Sequence, residues 1–317
     1  MRPSVSINIV TYNSQDDILN CLKAVYEQTG TFTQKVIVID NCSLDNTVSL
    51  IKDYFPKVTI INNSTNIGFA AGHNIGILKS EQADYVLTLN PDVMIKPDYV
   101  SSLLAVMEGN GNVGMATGML VSAEGNKIDS MGIGLTKSRR AFDLGQGDSL
   151  DDYYENREIL GPCAAAALYR REFINDILIN GEFFDSDFFI YKEDVDVCWR
   201  GQLLGWSSLF VANAVAFHKR GWKREKRRDI NKNVRFHSFK NRYLMIIKND
   251  DIPNLIRHII PVVFLEIQFF IYILLREPYL LKAYLQVVIL IPKLVKKRME
   301  IMKKRRNSPE KMRLWFD

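Results

Sequence analysis

From Val5 to about residue 120 the chain alternates short β-branched runs with stretches of helical spacing, and this strict alternation restricts the fold more than any other feature. The runs "VSINIVTYN", "KVIVIDN", "VTIINNS" and "YVLTLNPDV" read as strands. Between them "SQDDILNCLKAVYEQ", "SLDNTVSLIKDYF" and "GFAAGHNIGILKS" carry the apolar spacing of helices. Strand and helix in turn predict a mostly parallel sheet with helices on both faces, because a parallel crossover must travel over the sheet. Ligands of such sheets bind beyond the carboxyl ends of the strands, at a topological switch point. The polar clusters "TYN", "DNCS" and "NPD" all fall at strand ends of that kind.

The rest of the chain has a different character. Residues 121–160 are polar and glycine-rich and read as loops and short strands over the sheet. They are followed by the small-residue run "GPCAAAALYR", the aromatic and acidic "EFFDSDFFIYKEDVDVCWRGQLLGW" and a strand "SSLFVANAVAFH". Past residue 230 the pattern turns helical, with two strongly apolar stretches, "HIIPVVFLEIQFFIYILLREP" and "YLLKAYLQVVILIPKLVKKR". The first contains Glu266 and Gln268 and has fewer than the ~20 apolar residues a span needs; the second carries Lys282, Gln286 and Lys293 on about one face. Two helices lying in a membrane interface are the expectation, a bilayer hairpin or a soluble core surface the alternatives. This divides the chain into an α/β domain over 1–250 and membrane-associating helices with a basic tail over 251–317.

Basic residues crowd into "HKRGWKREKRR" and into the tail from Lys293 to Arg313, which suits an anionic partner such as lipid headgroups or diphosphates, or else a solvated face. The four cysteines have no C-x-x-C spacing, which argues against a zinc ribbon or disulfide framework and suits a reducing cytoplasm. "MRPSVSINIVTYN" lacks the apolar run of a signal peptide, so export by that route is not expected.

Several residues are placed to do chemistry. Asp40 ends a strand where a carboxylate can accept the imide N–H of a uracil or thymine ring, with Thr11 and Tyr12 near base and ribose; Asp40 and Ser43 capping the next helix is the plainer alternative. Gly68, Gly72 and Gly76 recur every fourth residue and bare one helix face, for close approach of a phosphate or for tight packing. They are not the G-x-G-x-x-G fingerprint of a dinucleotide enzyme. Asp92 can hold a divalent ion against a diphosphate, and His218, ending a strand, is the best-placed distant ligand, unless it is structural. Glu193 and Asp194 open a helix, where a carboxylate can take a proton from a hydroxyl or simply favour the helix dipole.

Taken in order, "IVTYN", "VIDNCSLDNT", "NIGFAAGHNIG", "LNPDV", "GPCAAAALYRR", "FFIYKEDVDVCWR" and "HKRGW" resemble the family 2 glycosyltransferases of the GT-A fold, in particular their rhamnosyltransferase-like branch. The resemblance covers roughly residues 4 to 245. It implies a nucleotide and donor site drawn from Thr11, Tyr12, Asn13, Asp40, Asn41, Ser43, Asn66, Gly68, Asn90 and Arg200. It also implies a Mg²⁺ or Mn²⁺ ion held by Asp92 and His218. "NPD" stands where the family has Asp-x-Asp, so Asn90 is expected to bond ribose or donor instead of metal. The catalytic base falls on Asp194, with Glu193 as orienting partner or alternative, and Arg200, Lys219 and Arg220 are candidates for diphosphate contacts.

The implied reaction is inverting transfer of one sugar, first choice L-rhamnose from dTDP-rhamnose and otherwise a UDP-hexose. The acceptor would be a lipid-diphosphate-linked glycan at the cytoplasmic face of the cell membrane, with peripheral attachment to an anionic surface and no nucleic acid partner. A processive synthase is disfavoured because no Q-x-x-R-W motif follows the acidic pair, and a pyrophosphorylase because "VTYNSQDD" has no glycine-rich phosphate loop. A non-catalytic membrane scaffold that keeps the fold is the remaining class.

Overall fold

The computed structural model describes residues 2–150, 154–220 and 230–316. Its N-terminal half repeats the expected alternation: β1 (Ser4–Thr11), α1 (Ile18–Tyr26), β2 (Thr33–Asp40), α2 (Thr47–Tyr54), β3 (Thr59–Asn62), α3 (Gly68–Lys79) and β4 (Tyr85–Leu89). There follow β5 (Val93–Ile95), α4 (Tyr99–Glu108), β6 (Val113–Ser122), the short strands β7 (Ile128–Ser130), β8 (Ile133–Leu135), β9 (Ala141–Asp143) and β10 (Arg157–Glu158), then β11 (Ala166–Arg170). The second half adds α5 (Arg171–Ile177), α6 (Glu193–Leu203), β12 (Ser207–His218) and the helices α7 (Lys232–Asn249), α8 (Ile252–Arg257), α9 (Ile259–Arg276), α10 (Leu281–Lys304) and α11 (Pro309–Arg313).

The main sheet runs β10-β12-β6-β11-β4-β1-β2-β3. Its β3-β2-β1-β4 half is parallel, and β11 enters antiparallel between β4 and β6. The chain moves from β1 outward to β3 and returns to β4 on the other side of β1, so β1 and β4 flank the switch point.

Alternation along the strands sends side chains to two cores. Val5, Ile7, Ile9, Leu87 and Leu89 pack against α1, α2 and α4, while Val86, Met115 and Tyr169 face α3, α5, α6 and α7. On the second face Asn8 is buried under α3, and a Cβ on Gly76 would lie 2.9 Å from its amide nitrogen, one on Gly72 3.0 Å from Val10. Those two glycines therefore serve helix-on-sheet packing; the phosphate alternative does not fit them. Gly68 differs: its φ is +86°, and a Cβ there would lie 2.5 Å from the Phe189 carbonyl oxygen.

The C-terminal region is two things. Leu294, Ile301, Met312 and Phe316 belong to the core over the second face, and Lys297 is buried in an ion network with Asp185 (2.6 Å) and Asp187 (2.8 Å). The lower half of α10 is thus packed into the same body as the sheet, across the division expected at residue 250. By contrast α9 and the start of α10 hold Ile260, Phe264, Leu275 and Ile289 at 80, 63, 74 and 68% exposure. Each such side chain left in water forgoes about 1.5–3 kcal/mol of burial.

The basic tail departs from expectation. Lys293 pairs with Asp187, Arg305 with Asp251 and Arg306 with Asp176, while Arg298 and Lys304 donate to backbone carbonyls. A cation that meets a fixed carboxylate at short range has less to gain from screened lipid charge. Much of the tail is therefore paired within the protein, although Lys293 and Arg306 keep more than half of their side chains exposed and Lys296 and Lys303 stand in solvent. Of the other basic run, residues 221–228 lie outside the described residues.

Candidate active site

The carboxyl ends of β1 and β2 are tied by the Asp40 carboxylate. It accepts from the Thr11 hydroxyl (2.8 Å), the Ser43 hydroxyl (2.6 Å) and the Ser43 N–H (2.9 Å). A carboxylate has about four lone-pair sites, so one stays open on Oδ2 for a ligand N–H. Asn13, at φ 52°, accepts from the Leu44 N–H (2.8 Å) and donates its own N–H to Ser43, which locks the first rim loop to the second. Asn41 joins the third: its amide donates to the Gly68 carbonyl (3.0 Å) and accepts from Asn63 (2.9 Å). Asn66 accepts from the Gly68 N–H (2.9 Å) and so turns the chain into α3. Tyr12 stands half in solvent beside this cradle. Thr11, Asn13, Asp40, Asn41, Ser43, Asn66 and Gly68 thus form one connected rim; Asp40 and Ser43 do not cap α2, whose first N–H, that of Thr47, goes to Asp45 (3.0 Å).

After β4, the "NPD" corner carries Asn90 and Asp92, both half-buried. Asp92 meets His218 because β5, directly after the corner, pairs antiparallel with the end of β12, Val93 opposite His218. The two side chains stand 3.6 Å apart, beyond hydrogen-bond reach. His218 Nδ1 is taken by Asp129 Oδ2 at 2.8 Å, whereas its buried Nε2 has no hydrogen-bond partner. Burial works against charge on His218, but Asp129 and Asp92 outweigh it and lift the imidazole to about 9. Burial likewise opposes charge on Asp92, and His218 overcomes it, holding the carboxyl below its ordinary range.

These groups fit a hard divalent ion. An orphaned Nε2 aimed at a carboxylate, with Nδ1 fixed by a second carboxylate, is how a metal-binding histidine is held. An ion would take the place of the imidazole proton. Among the described residues no third His, Cys, Asp or Glu completes a cluster, which leaves the other positions to phosphate oxygens and water.

Asp129 had no local signal in "GNKIDS"; only the folded register brings it to His218. It also accepts from Arg220 (2.9 Å), whose other arm reaches Asp143 (2.9 Å). Arg220 is therefore held by two carboxylates, and Lys219 by Asp17 (2.7 Å).

The Glu193–Asp194 pair opens α6. Glu193 is buried with Oε2 unpartnered, and burial followed by the neighbouring Asp194 charge pushes its carboxyl well above the ordinary value. Asp194 is only half-buried, accepts from the Val195 N–H (2.8 Å), and is raised by burial and then by Asp143. Asp143 links the two halves of the site, since it pairs with Arg220 and its field reaches Asp194. Of the doublet, Asp194 is the accessible member.

The backbone before this pair is strained: Phe189, Tyr191 and Lys192 sit at φ 64°, 68° and 69°. Such residues cost about 1–3 kcal/mol each unless the surroundings impose them. Here Asn241 imposes them, its buried amide donating to the carbonyls of Phe188 (2.8 Å), Ile190 (2.9 Å) and Tyr191 (2.7 Å). The sequence did not mark Asn241.

Arg200 requires a correction. It is buried, and its guanidinium is spent on Asp196 (3.0 Å) and on the carbonyls of Ile177 (2.5 Å) and Phe183 (2.5 Å). Buried in this way, it braces α6 against the end of α5 and the segment that follows, and is shut off from a diphosphate in solvent.

Comparison with known proteins agrees with this architecture. A rhamnosyltransferase, WbbL of Escherichia coli K12, is 24% identical over 68% of this chain and 83% of its own. An uncharacterized glycosyltransferase of Haemophilus influenzae is 32% identical over 34% of this chain, which covers only about a third of that relative's length (36%). The crystal structure of GalNAc-T7 with UDP, GalNAc and Mn²⁺ superposes with a TM-score of 0.61 at 14% identity, over 78% of this chain and 48% of that one, which shows the shared GT-A fold. Residues 6–178, more than half of the chain, match the model described as Glycosyl transferase family 2, and the protein belongs to that family.

Proposed function

We propose that this protein is an inverting, metal-dependent glycosyltransferase that moves one sugar from a nucleoside-diphosphate donor to a lipid-linked glycan in cell-surface polysaccharide synthesis. The observation that carries the reading is the meeting of Asp92 with the unpartnered Nε2 of His218 at the switch-point rim, linked through Asp129, Arg220 and Asp143 to Asp194. The open acceptor site on Asp40 suits the imide N–H of thymine or uracil, and Tyr12 is free to cover the base. Asp194 takes the proton of the acceptor hydroxyl as it attacks the anomeric carbon; Glu193, kept neutral by burial, orients it. When bound, the ion supplies positive charge against the leaving diphosphate. Asn90 sits where it can bond the ribose or sugar.

L-Rhamnose from dTDP-rhamnose is the first choice, supported by the similarity to a rhamnosyltransferase. The exposed apolar residues of α9 and early α10 support peripheral attachment to the cytoplasmic face of the membrane.

A panel of nucleotide sugars tests this by thermal stabilisation with and without Mn²⁺, since a ligand of the native state raises its melting temperature. dTDP-rhamnose with Mn²⁺ should stabilise most, and Asp92→Ala should abolish the ion-dependent part. A UDP-hexose as the best ligand would transfer the reading to that donor. No stabilisation by any nucleotide sugar, with no donor turnover, would favour a non-catalytic scaffold.

A further inference from the structure

A cavity of about 830 Å³ lies between α7 and α9, closed on one side by Tyr191 and Lys192 just before α6. Its walls are apolar, with Val234 and Phe239 from α7 facing Leu265, Phe269 and Tyr272 from α9. Five cations also line it: Arg140, Lys192, Arg235, Arg242 and Arg276. Two carboxylates answer them, Glu277 on Arg235 and Glu266 on Arg242, while Arg140, Lys192 and Arg276 make no ion pair among the described residues.

The charges are arranged to receive something. Nε of Arg235 and Nε of Arg242 are both buried without a hydrogen-bond partner. An unmade bond on a buried donor costs about 1–3 kcal/mol. Lys192 gives its ammonium to the Ser238 hydroxyl (3.0 Å) and to no carboxylate; burial pulls it down to about 8. An anion entering the cavity would meet Lys192 and the unpartnered Nε of Arg235; Arg242, with its two terminal nitrogens on Glu266 and the Ser138 carbonyl, offers its Nε alone.

The position is as telling as the chemistry. Lys192 directly precedes Glu193 and Asp194, and Arg140 is shared with a smaller cavity of about 400 Å³ that contains Asp143. Cations therefore begin where the proposed base ends. In the other direction the apolar wall continues onto the bare side of α9, where Phe264, Ile271 and Leu275 stand exposed.

We propose that this cavity binds the acceptor's prenyl diphosphate, the diphosphate on Lys192, Arg235 and Arg242 and the first isoprene units between α7 and α9. A diphosphate linking prenyl chain and sugar carries about two negative charges and answers these cations better than the single phosphodiester of a bulk phospholipid does. The tail follows the exposed apolar side of α9 toward the bilayer, and the head-group sugar lies at the Lys192 end of the cavity, two residues before Asp194 in the chain. This deepens, and rests on, the glycosyl-transfer reading given above.

Equilibrium binding to the full chain in detergent tests it, with farnesyl diphosphate, farnesol, inorganic diphosphate and phosphatidylglycerol vesicles as probes. Farnesyl diphosphate should bind at least about tenfold more tightly than farnesol or diphosphate alone. Leu265→Trp, which fills the apolar wall, and Arg276→Glu, an exposed reversal at the lining, should each weaken it by about tenfold. Binding equal to the parent in both variants, or displacement of the probe by phosphatidylglycerol at matched phosphate, would overturn the site. Nucleotide-sugar affinity in the same preparations reads the other proposal separately. Prenyl diphosphate binding without nucleotide-sugar binding would remove glycosyl transfer and keep the site; the reverse would remove the site alone.

Discussion

At the residue scale the proposed transfer rests on Asp194, a carboxyl raised by burial and by Asp143 and still half-open to solvent. Protonated, it cannot accept a proton, so transfer should rise with pH through a midpoint above that of an ordinary aspartate. A rate profile with Mn²⁺ saturating would read that limb; a midpoint at or below the ordinary value would remove Asp194 as the base. Asp194→Asn should lower kcat by about 10²–10⁴-fold while donor affinity stays within about twofold. Residues of this kind were open to inspection in the sequence because a carboxylate after a strand, or a doublet opening a helix, advertises itself. Asp129 and Asn241 were not, since each acts by meeting a group far along the chain. Arg200 misled for a related reason: a charged residue beside an acidic motif looks functional until its burial and carbonyl partners are seen.

At the element scale the parallel half of the sheet could be read directly, as alternation of period leaves few topologies. β11 could not. "AAAALYR" has the composition of a helix, and what makes it a strand is the slot between β4 and β6, where it pairs on both edges and the Tyr99 hydroxyl donates to the Ala166 carbonyl (2.7 Å). Nor did local sequence disclose the strained segment before α6, whose geometry comes from Asn241 on α7. Asn241→Ala removes the donor from three carbonyls and should cost about 1–3 kcal/mol of stability. As a positioning residue it should also lower kcat with little change in the donor KM; a purely structural role would reduce the active fraction and leave kcat per folded molecule unaltered. The glycines of α3 divide along the same line: Gly72 and Gly76 answer to packing, and Gly68 to a turn pressed on Phe189.

At the scale of the whole molecule, a buried ion network joins elements far apart in sequence. Lys248 bonds Asp185 (2.5 Å) and Asp196 (2.9 Å), and Lys297, from α10, bonds Asp185 and Asp187. Removing one member strands charge in the interior, a loss of about 3–5 kcal/mol. Lys297→Met should therefore lower the denaturant midpoint of the sheet and of α10 together, in one transition; two separate transitions would show that the C-terminal helices fold as a unit of their own. The boundary near residue 250 was drawn where composition changes, and composition reports solvent preference, whereas this weld depends on three aspartates lying before it. A different consequence follows from the pairing of β5 with β12. The imidazole reaches Asp92 only after the last strand of the sheet has been synthesised and laid beside a three-residue partner from much earlier in the chain. On the proposed function, a chain truncated before that strand would lack His218 altogether, so a grip on the ion must wait for the last strand to be made, and the Asn241 brace on α7 follows later still.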